Sequence, residues 1–382
     1  MPSESIVGLT EYSRLERTKF PRSWLRGLSA LVVGAGALGN EVVKALGLLG
    51  IGRMTVVDPD TVEASNLTRS VFFRVPEAIG RSKALAITEA ARRLFPDTQS
   101  TGIDSEIADV GFQDVAQVDI IFSCVDTDLA RLEIAFIATR LNRAVCDAGL
   151  DGYDSSQGRV TYFPGAGSAC YCCLLSDQRR RDLLTLGESS VRSCWPSLDP
   201  SDDQSYSSTP TMAALVGALQ ADFGLRRLLD PPDTRAGASA VEVSLDPVPR
   251  LGVLRVHRSK TCPFHEKRIH AVAAPKPAAR TTVAELLDSA NEGGSCPAAL
   301  VLDWPICARA RCGRCGLIWE PLRRLTWFRR FGVCPRCGHR GLVGEEVIRA
   351  VARDSPWAEC TLSGLGLPER HLHTIRLGGR AD

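Results

Sequence analysis

Three glycines and a set of phosphate-seeking side chains set the chemistry. Gly34, Gly36 and Gly39 form a G-x-G-x-x-G turn directly after a short apolar run at 31–33. Such a turn lets backbone approach a phosphate, and a helix starting there adds free N–H groups and partial positive charge. A second apolar run, 54–57, ends in Asp58, placed to accept hydrogen bonds from a ribose. Asp60, Asn66 and Arg69 follow within DPDTVEASNLTR, and Lys83 ends GRSK at the start of the next helical run. A resting pyrophosphate has little use for so many such groups. Cleavage of a triphosphate does, because charge moves between phosphoryl oxygens during the reaction. Asp126 follows a third apolar run, VDIIFSC. Taken singly, Arg69 and Lys83 read as solvated charges and Asp126 as a helix cap; their joint spacing reads as a site.

The chain has 14 cysteines. Its N-terminus is polar, without an apolar signal segment, and no run approaches the roughly 20 apolar residues of a membrane helix. A soluble, cytoplasmic protein is expected, so clustered cysteines point to metal rather than disulfides. Cys312-x-x-Cys315, then eighteen residues, then Cys334-x-x-Cys337, with Gly316 and Gly338 after the pairs, reads as a zinc ribbon. Four thiolates close the coordination shell, which makes that zinc structural. Arg309, Arg311, Arg314, Arg323, Arg324, Arg329, Arg330 and Arg336 surround it, with Trp319, Trp327 and Phe328. That composition suits nucleic acid, by charge and stacking, or an acidic protein surface, or a solvated face.

The elements that position these groups follow from periodicity. In the amphipathic run after the glycine turn, Leu38, Val42, Leu46 and Leu49 share one face. A helix over 83–95 stopped by Pro96, a strand at 118–124, a helix over 129–141 and a strand at 144–147 continue the alternation. The fold class is α/β, a Rossmann-like domain with a parallel sheet and helices on both faces. Residues 1–28 read as a helical arm. From Gly158 the pattern changes to strands, and with the later ASAVEVSL and LGVLRVH the sheet becomes mixed. Residues 209–229 read as a helix. Between them, 176–208 is a long polar connection, of a kind that is often functional. The domains expected are 1–270, a Pro/Ala linker at 271–280, and a small C-terminal domain, 281–382, with the ribbon. A net charge of +2 does not call for nucleic acid.

These residues carry a resemblance. Tyr12-Ser13-Arg14, GAGALG, DPDTVEASNLTR, GRSK, the Cys124–Arg131 run, QGRVTYFPG, ACYCCL, TPTMAALVGALQA and TCPFHE occur in the order found in the ThiF/MoeB/HesA superfamily. The likeness to this adenylating fold, shared with ubiquitin-activating enzymes, covers about 8–270. Thr127 stands where the family usually has Asn, and Ser70 where it often has Gln. The resemblance implies ATP-dependent activation of the C-terminal glycine of a ubiquitin-like protein. It implies Asp58 as ribose ligand, Asn66, Arg69 and Lys83 as triphosphate contacts, and Asp126 as Mg²⁺ ligand. It also implies a homodimer, with Arg14 reaching into the neighbouring protomer's site. A carboxylate nucleophile is already ionised, so positioning and charge stabilisation at the α-phosphate suffice.

Where the family usually has a second C-x-x-C, this chain has Cys262-x-x-His265. With Cys170 and Cys173 it implies a Cys₃His zinc site, for which Cys172 or His270 are alternative ligands. In members that go beyond adenylation, the 176–208 region carries a thioester cysteine, which assigns that role to Cys194, with Arg192 nearby. A conjugating-enzyme-like acceptor then follows as partner. Since the family handles proteins, protein docking is preferred over nucleic acid for the ribbon, and no membrane partner is expected. The alternatives are a sulfur-carrier adenylyltransferase, an NAD-dependent oxidoreductase, and a non-catalytic zinc-ribbon adaptor.

Overall fold

The computed structural model describes residues 15–151, 154–165, 167–186, 209–231, 237–265, 277–290, 297–369, 371 and 373–377. Arg14 and Cys194, the two expected catalytic residues contributed by the arm and the long connection, lie outside them, as do Arg192 and His270. The described residues form two compact units. One comprises those within Met1–Ala108, Val115–Ser176 and Ser193–His265. The other comprises those within Asp109–Asp114, Asp177–Arg192 and Glu266–Asp382.

The first unit begins with α1 (Arg22–Gly27) and β1 (Ser29–Val33), followed by α2 (Ala37–Leu49) and β2 (Arg53–Val57). Then come α3 (Lys83–Leu94) and β3 (Gln99–Ile103). Helix α4 (Phe112–Ala116) crosses between the two units in sequence. Next are β4 (Ile120–Ser123), α5 (Asp128–Leu141), β5 (Ala144–Leu150), β6 (Gln157–Phe163) and the short α6 (Tyr171–Leu174). Helix α7 (Asp177–Leu186) belongs to the second unit. Helix α8 (Pro210–Leu229) and strands β7 (Ala238–Ser244) and β8 (Arg250–Val256) complete the first.

The eight strands form one sheet in the order β3-β2-β1-β4-β5-β6-β7-β8. Pairing is parallel from β3 to β5 and antiparallel from β5 to β8. The mixed α/β sheet expected from the sequence is thus present. Strand β1 is buried along its whole length, as a parallel strand covered on both faces must be. Val42, Val43 and Leu46 of α2 and Met212, Val216 and Leu225 of α8 fill the core over it. At the chain's turn from β1 to β4 the strand order reverses, and the loops leaving the carboxyl ends there frame a crevice where ligands of open α/β sheets bind.

In the second unit, α9 (Val283–Ser289) has a capping box in which Thr282 and Glu285 exchange hydrogen bonds. The long β9 (Pro297–Cys312) pairs antiparallel with β10 (Ile318–Trp319), β11 (Arg323–Arg324), β12 (Leu342–Ala352) and β13 (Thr374–Leu377), while α10 (Leu325–Phe331) precedes the second cysteine pair. Of the stretch read as a linker, 277–280 is described. Ala278 packs into the core with Leu286 and Leu300, and the N–H groups of Ala278 and Ala279 donate to the Glu369 carboxylate. Of the polar connection 176–208, residues 177–186 form α7. The short segment 109–114 also belongs here rather than to the first domain. Arg324, nearly fully buried, makes a bidentate ion pair with Asp109 at 2.7 and 2.9 Å, and Phe112 packs on His371 with ring centroids 4.1 Å apart. Among the described residues no helix is long and apolar enough to cross a membrane.

Candidate active site and metal centres

The glycine turn is locked by what lies behind it. Gly34 has φ +95°, and a Cβ there would sit 2.5 Å from the Cys124 carbonyl. A Cβ on Gly39 would sit 2.0 Å from the Gly34 carbonyl. These two glycines therefore serve a left-handed turn and a close helix–strand approach. Gly36 differs: a Cβ there would meet nothing within 4 Å. Its face is the open one, the face a phosphate would use.

Asp58 holds this turn as well as facing it. Its Oδ2 accepts from the Ala35 N–H at 2.6 Å and its Oδ1 from the Asp60 N–H at 2.8 Å. Burial pushes its carboxyl up, opposed by the Ala35 N–H and by the charge of Lys83. Each oxygen keeps a lone pair for a further donor such as a ribose hydroxyl. Lys83 Nζ lies 3.1 Å from Asp60 Oδ2, and its backbone N–H donates to the Asp60 carbonyl. Hydrogen bonds from Val62 to the Arg81 carbonyl and from Gly80 to the Val62 carbonyl fasten GRSK beside the loop after β2. The structure thus gathers Gly34, Gly36, Gly39, Asp58, Asp60 and Lys83 at the carboxyl ends of β1 and β2.

Asn66 and Arg69 lie on and just after the 3₁₀ turn Ala64–Thr68. Asn66 Oδ1 accepts from the Glu63 N–H, closing a capping box, so part of its hydrogen-bonding capacity is spent locally. Asp126 is exposed in the loop after β4. It does not cap α5: the Thr127 hydroxyl does, accepting from the Ala130 N–H. The Thr at the family's Asn position can serve this role because both residue types cap helices.

Sequence reasoning missed three polar residues that brace the site. Asn40, fully buried on α2, donates to the carbonyls of Ala35 and Gly36 and accepts from the Phe72 N–H, tying the glycine turn to the segment after Arg69. Gln220, fully buried on α8, donates to the carbonyls of Ser123 and Cys146. Asp147 accepts from Arg131 Nε at 3.1 Å and from Ser123 Oγ at 2.6 Å. Their signal was a polar residue within an apolar helix or strand face, which buries only when its partners are supplied.

Two metal-type centres are built. Cys170, Cys173, Cys262 and His265 bring one ligand atom each within 4.8 Å of one another, as do Cys312, Cys315, Cys334 and Cys337. In the first, Cys170 Sγ is 3.9 Å from Cys173 Sγ and 3.8 Å from Cys262 Sγ, and Cys173 Sγ is 3.3 Å from His265 Nε2. Contact with Cys173 raises His265 to about 9, and a cation among these sulfurs would take that proton's place. The donor sets, three thiols with imidazole and four thiols, suit zinc. In the second centre, Gly316 and Gly338 adopt φ +68° and +67° and donate to the carbonyls of Cys312 and Cys334. The two knuckles are conformational copies. Burial pushes the thiols of Cys124 and Cys146 up, away from reactivity.

A parallel sheet with a glycine turn at its switch point, extended by antiparallel strands, defines a Rossmann-like nucleotide-binding class. The chain belongs to the ThiF family, whose model matches residues 19–256. It is 31% identical over 190 residues to Ubiquitin-like modifier-activating enzyme 5 of Dictyostelium discoideum, covering 45% of this chain and 49% of that protein. It is 30% identical over 160 residues to Sulfur carrier protein ThiS adenylyltransferase of Escherichia coli, covering 41% and 62%. The chain spans about half the length of the curated relatives it matches. A crystal structure of E. coli MccB with MccA-N7isoASN shares the fold, with TM-score 0.51 at 18% identity over 68% of this chain and 76% of that one.

Proposed function

We propose that this chain uses ATP to adenylate the C-terminal glycine of a ubiquitin-like protein. The tail carboxylate attacks the α-phosphorus, a P–O bond forms, and pyrophosphate leaves. The observation that carries the reading is the open face of Gly36, set among Asp58, Asp60 and Lys83 at the carboxyl ends of β1 and β2. Asp58 would hold the ribose. Lys83 would exchange Asp60 for a phosphate oxygen, and Asn66 and Arg69 would take up charge on the triphosphate. Mg²⁺ arriving with ATP would take an oxygen of Asp126, neutralising phosphate charge. Arg14 would complete the site of a second protomer in a homodimer.

In this reading the acyl adenylate passes to Cys194. Its thiolate attacks the carbonyl carbon, AMP leaves, and the thioester is handed to a conjugating partner. The test is ATP–pyrophosphate exchange with a glycine-terminated ubiquitin-like protein, followed by trapping of a thiol-sensitive adduct. Normal exchange in both Arg69→Ala and Asp126→Ala would overturn the site, and an adduct that survives in Cys194→Ala would overturn the thioester step. Exchange without a thioester, with the acyl group passing instead to an added persulfide or sulfide as AMP leaves, would favour sulfur-carrier activation; the E. coli relative is named as an adenylyltransferase for a sulfur carrier.

A further inference from the structure

The ribbon presents a surface that the nucleotide site does not use. Between 305 and 346 the chain holds nine arginines, no lysine and three acidic residues, Glu320, Glu345 and Glu346, the last opposite Arg309 in register. Arg314 and Arg336 occupy the same position on the two knuckles. The Arg314 N–H donates to Cys312 Sγ at 3.4 Å, and the Arg336 N–H donates to Cys334. Four thiolates around a divalent zinc carry two net negative charges, and these two backbone N–H groups donate to them. The remaining arginines have no such use. Arg309 and Arg340 are exposed without an ion-pair partner among the described residues, while Arg311 pairs with Glu345 and Arg323 lies over the Trp327 ring.

Apolar side chains interleave with these charges in register. Ile318 of β10 and Val343 of β12 both stand opposite Arg311 of β9, so the three lie side by side across the sheet. Ile318 is 53% exposed, Val343 48%, and Val333, next to Cys334, 47%. The aromatic residues are spent elsewhere: Trp319, Trp327 and Phe328 pack with Cys307, Ala310 and Leu325. Binding of single-stranded nucleic acid stacks bases on open aromatic faces, whereas Trp319 and Trp327, both partly buried, pack against the ribbon's own cluster and Arg323 lies over the Trp327 ring. Exposed aliphatics combined with arginine in the absence of lysine match the composition of protein interfaces.

We propose that the β10-β9-β12 face of the ribbon, with Arg309, Arg311 and Arg340 around Ile318 and Val343, docks an acidic segment of a partner protein in which aliphatic residues alternate with carboxylates. The Arg309 and Arg340 guanidinium groups take carboxylates bidentately, and the aliphatic stripe selects against plain polyanions. This surface works without nucleotide, so it does not depend on the adenylation reading.

The test uses the full zinc-loaded chain and fluorescence anisotropy at physiological salt. The probes are a labelled peptide repeating Glu-Leu-Asp-Ile, an all-glutamate peptide of equal length and an oligothymidylate. The repeating peptide should bind, and more tightly than the other two. R309E/R340E should weaken it about tenfold or more, and V343S should weaken it several-fold, with zinc content and pyrophosphate exchange unchanged. No binding of the repeating peptide, equal binding of the all-glutamate peptide, tighter binding of the oligothymidylate, or indifference to R309E/R340E would each overturn the proposal. Absent exchange in the unaltered chain would count against the proposed function and leave the docking result intact.

Discussion

The Tyr171 hydroxyl, carried between metal-site cysteines Cys170 and Cys173, donates a 2.7 Å hydrogen bond to Oδ1 of Asp128, two residues past Asp126. Both side chains are buried, and burial pushes the phenol up so that it stays a neutral donor. The Arg131 guanidinium lies 5.7 Å from the centre of the Tyr171 ring while its Nε holds Asp147. The Cys₃His centre is thereby linked to the start of α5, and through it to the loop carrying Asp126.

Tyr171→Phe should therefore act on that loop. Loss of the donor leaves a buried carboxylate under-satisfied, at a cost of about 1–3 kcal/mol. The expected outcome is a several-fold higher Mg²⁺ concentration for half-maximal pyrophosphate exchange, with a smaller change in the maximal rate. A Mg²⁺ titration reads this directly, and an unchanged midpoint would show that Tyr171 only packs.

Much of this arrangement was legible because the chemistry is written in contiguous runs. GAGALG and DPD each place their residues within one turn of a strand end, so alternation alone puts Gly36 and Asp58 near one another, while GRSK announces only the start of the next helix, which carries Lys83. The bracing by Asn40, Gln220 and Tyr171 was not legible, because each meets a partner far away in sequence; Gln220 to Ser123 spans nearly a hundred residues. The Lys83–Asp60 pair and the Asp58–Ala35 hydrogen bond were also out of reach, since a sequence read for ligand contacts does not tell which groups hold each other. The transfer of 109–114 to the second unit rests on Arg324 and Asp109, whose types gave no sign of pairing.

Metal content should follow the two clusters separately. The unaltered chain should hold two zinc ions, and Cys262→Ser or Cys337→Ser should each lower the count to one, read by elemental analysis. Because a Cys₄ knuckle contributes folding energy outright, Cys337→Ser should lower the melting temperature of the C-terminal unit while leaving nucleotide affinity at the glycine turn unchanged. A chain that loses both ions together on either substitution would contradict independent centres.

His373 should make the second unit sensitive to acid. Burial first, and then the neighbouring His371 ring at 5.4 Å, lower its pKa to about 4, while Asp303 opposes the shift. Between about 6.5 and 4 the unfolded chain binds a proton that the folded chain does not, so stability falls as pH drops through this window. At about 1.4 kcal/mol per pKa unit the loss approaches 3 kcal/mol. His373→Gln should flatten the difference between melts at pH 7 and pH 5, followed by tryptophan fluorescence. An unaltered pH difference would exclude His373 as its source.

The three glycines of the turn separate folding from binding. At Gly34 and Gly39 an added methyl group meets backbone oxygen at 2.5 and 2.0 Å, and Gly34 also has positive φ. Gly34→Ala and Gly39→Ala should destabilise the fold by about 1–3 kcal/mol or more. At Gly36, where φ is −70° and the space is open, Ala should leave the melting temperature within about a degree or two of the unaltered chain. If a triphosphate lies against that face, the same methyl group displaces it, and ATP affinity by calorimetry should fall at least tenfold despite the intact fold. Full ATP affinity in a stable Gly36→Ala chain would place the phosphates elsewhere, because no other consequence of the substitution could restore the lost contact.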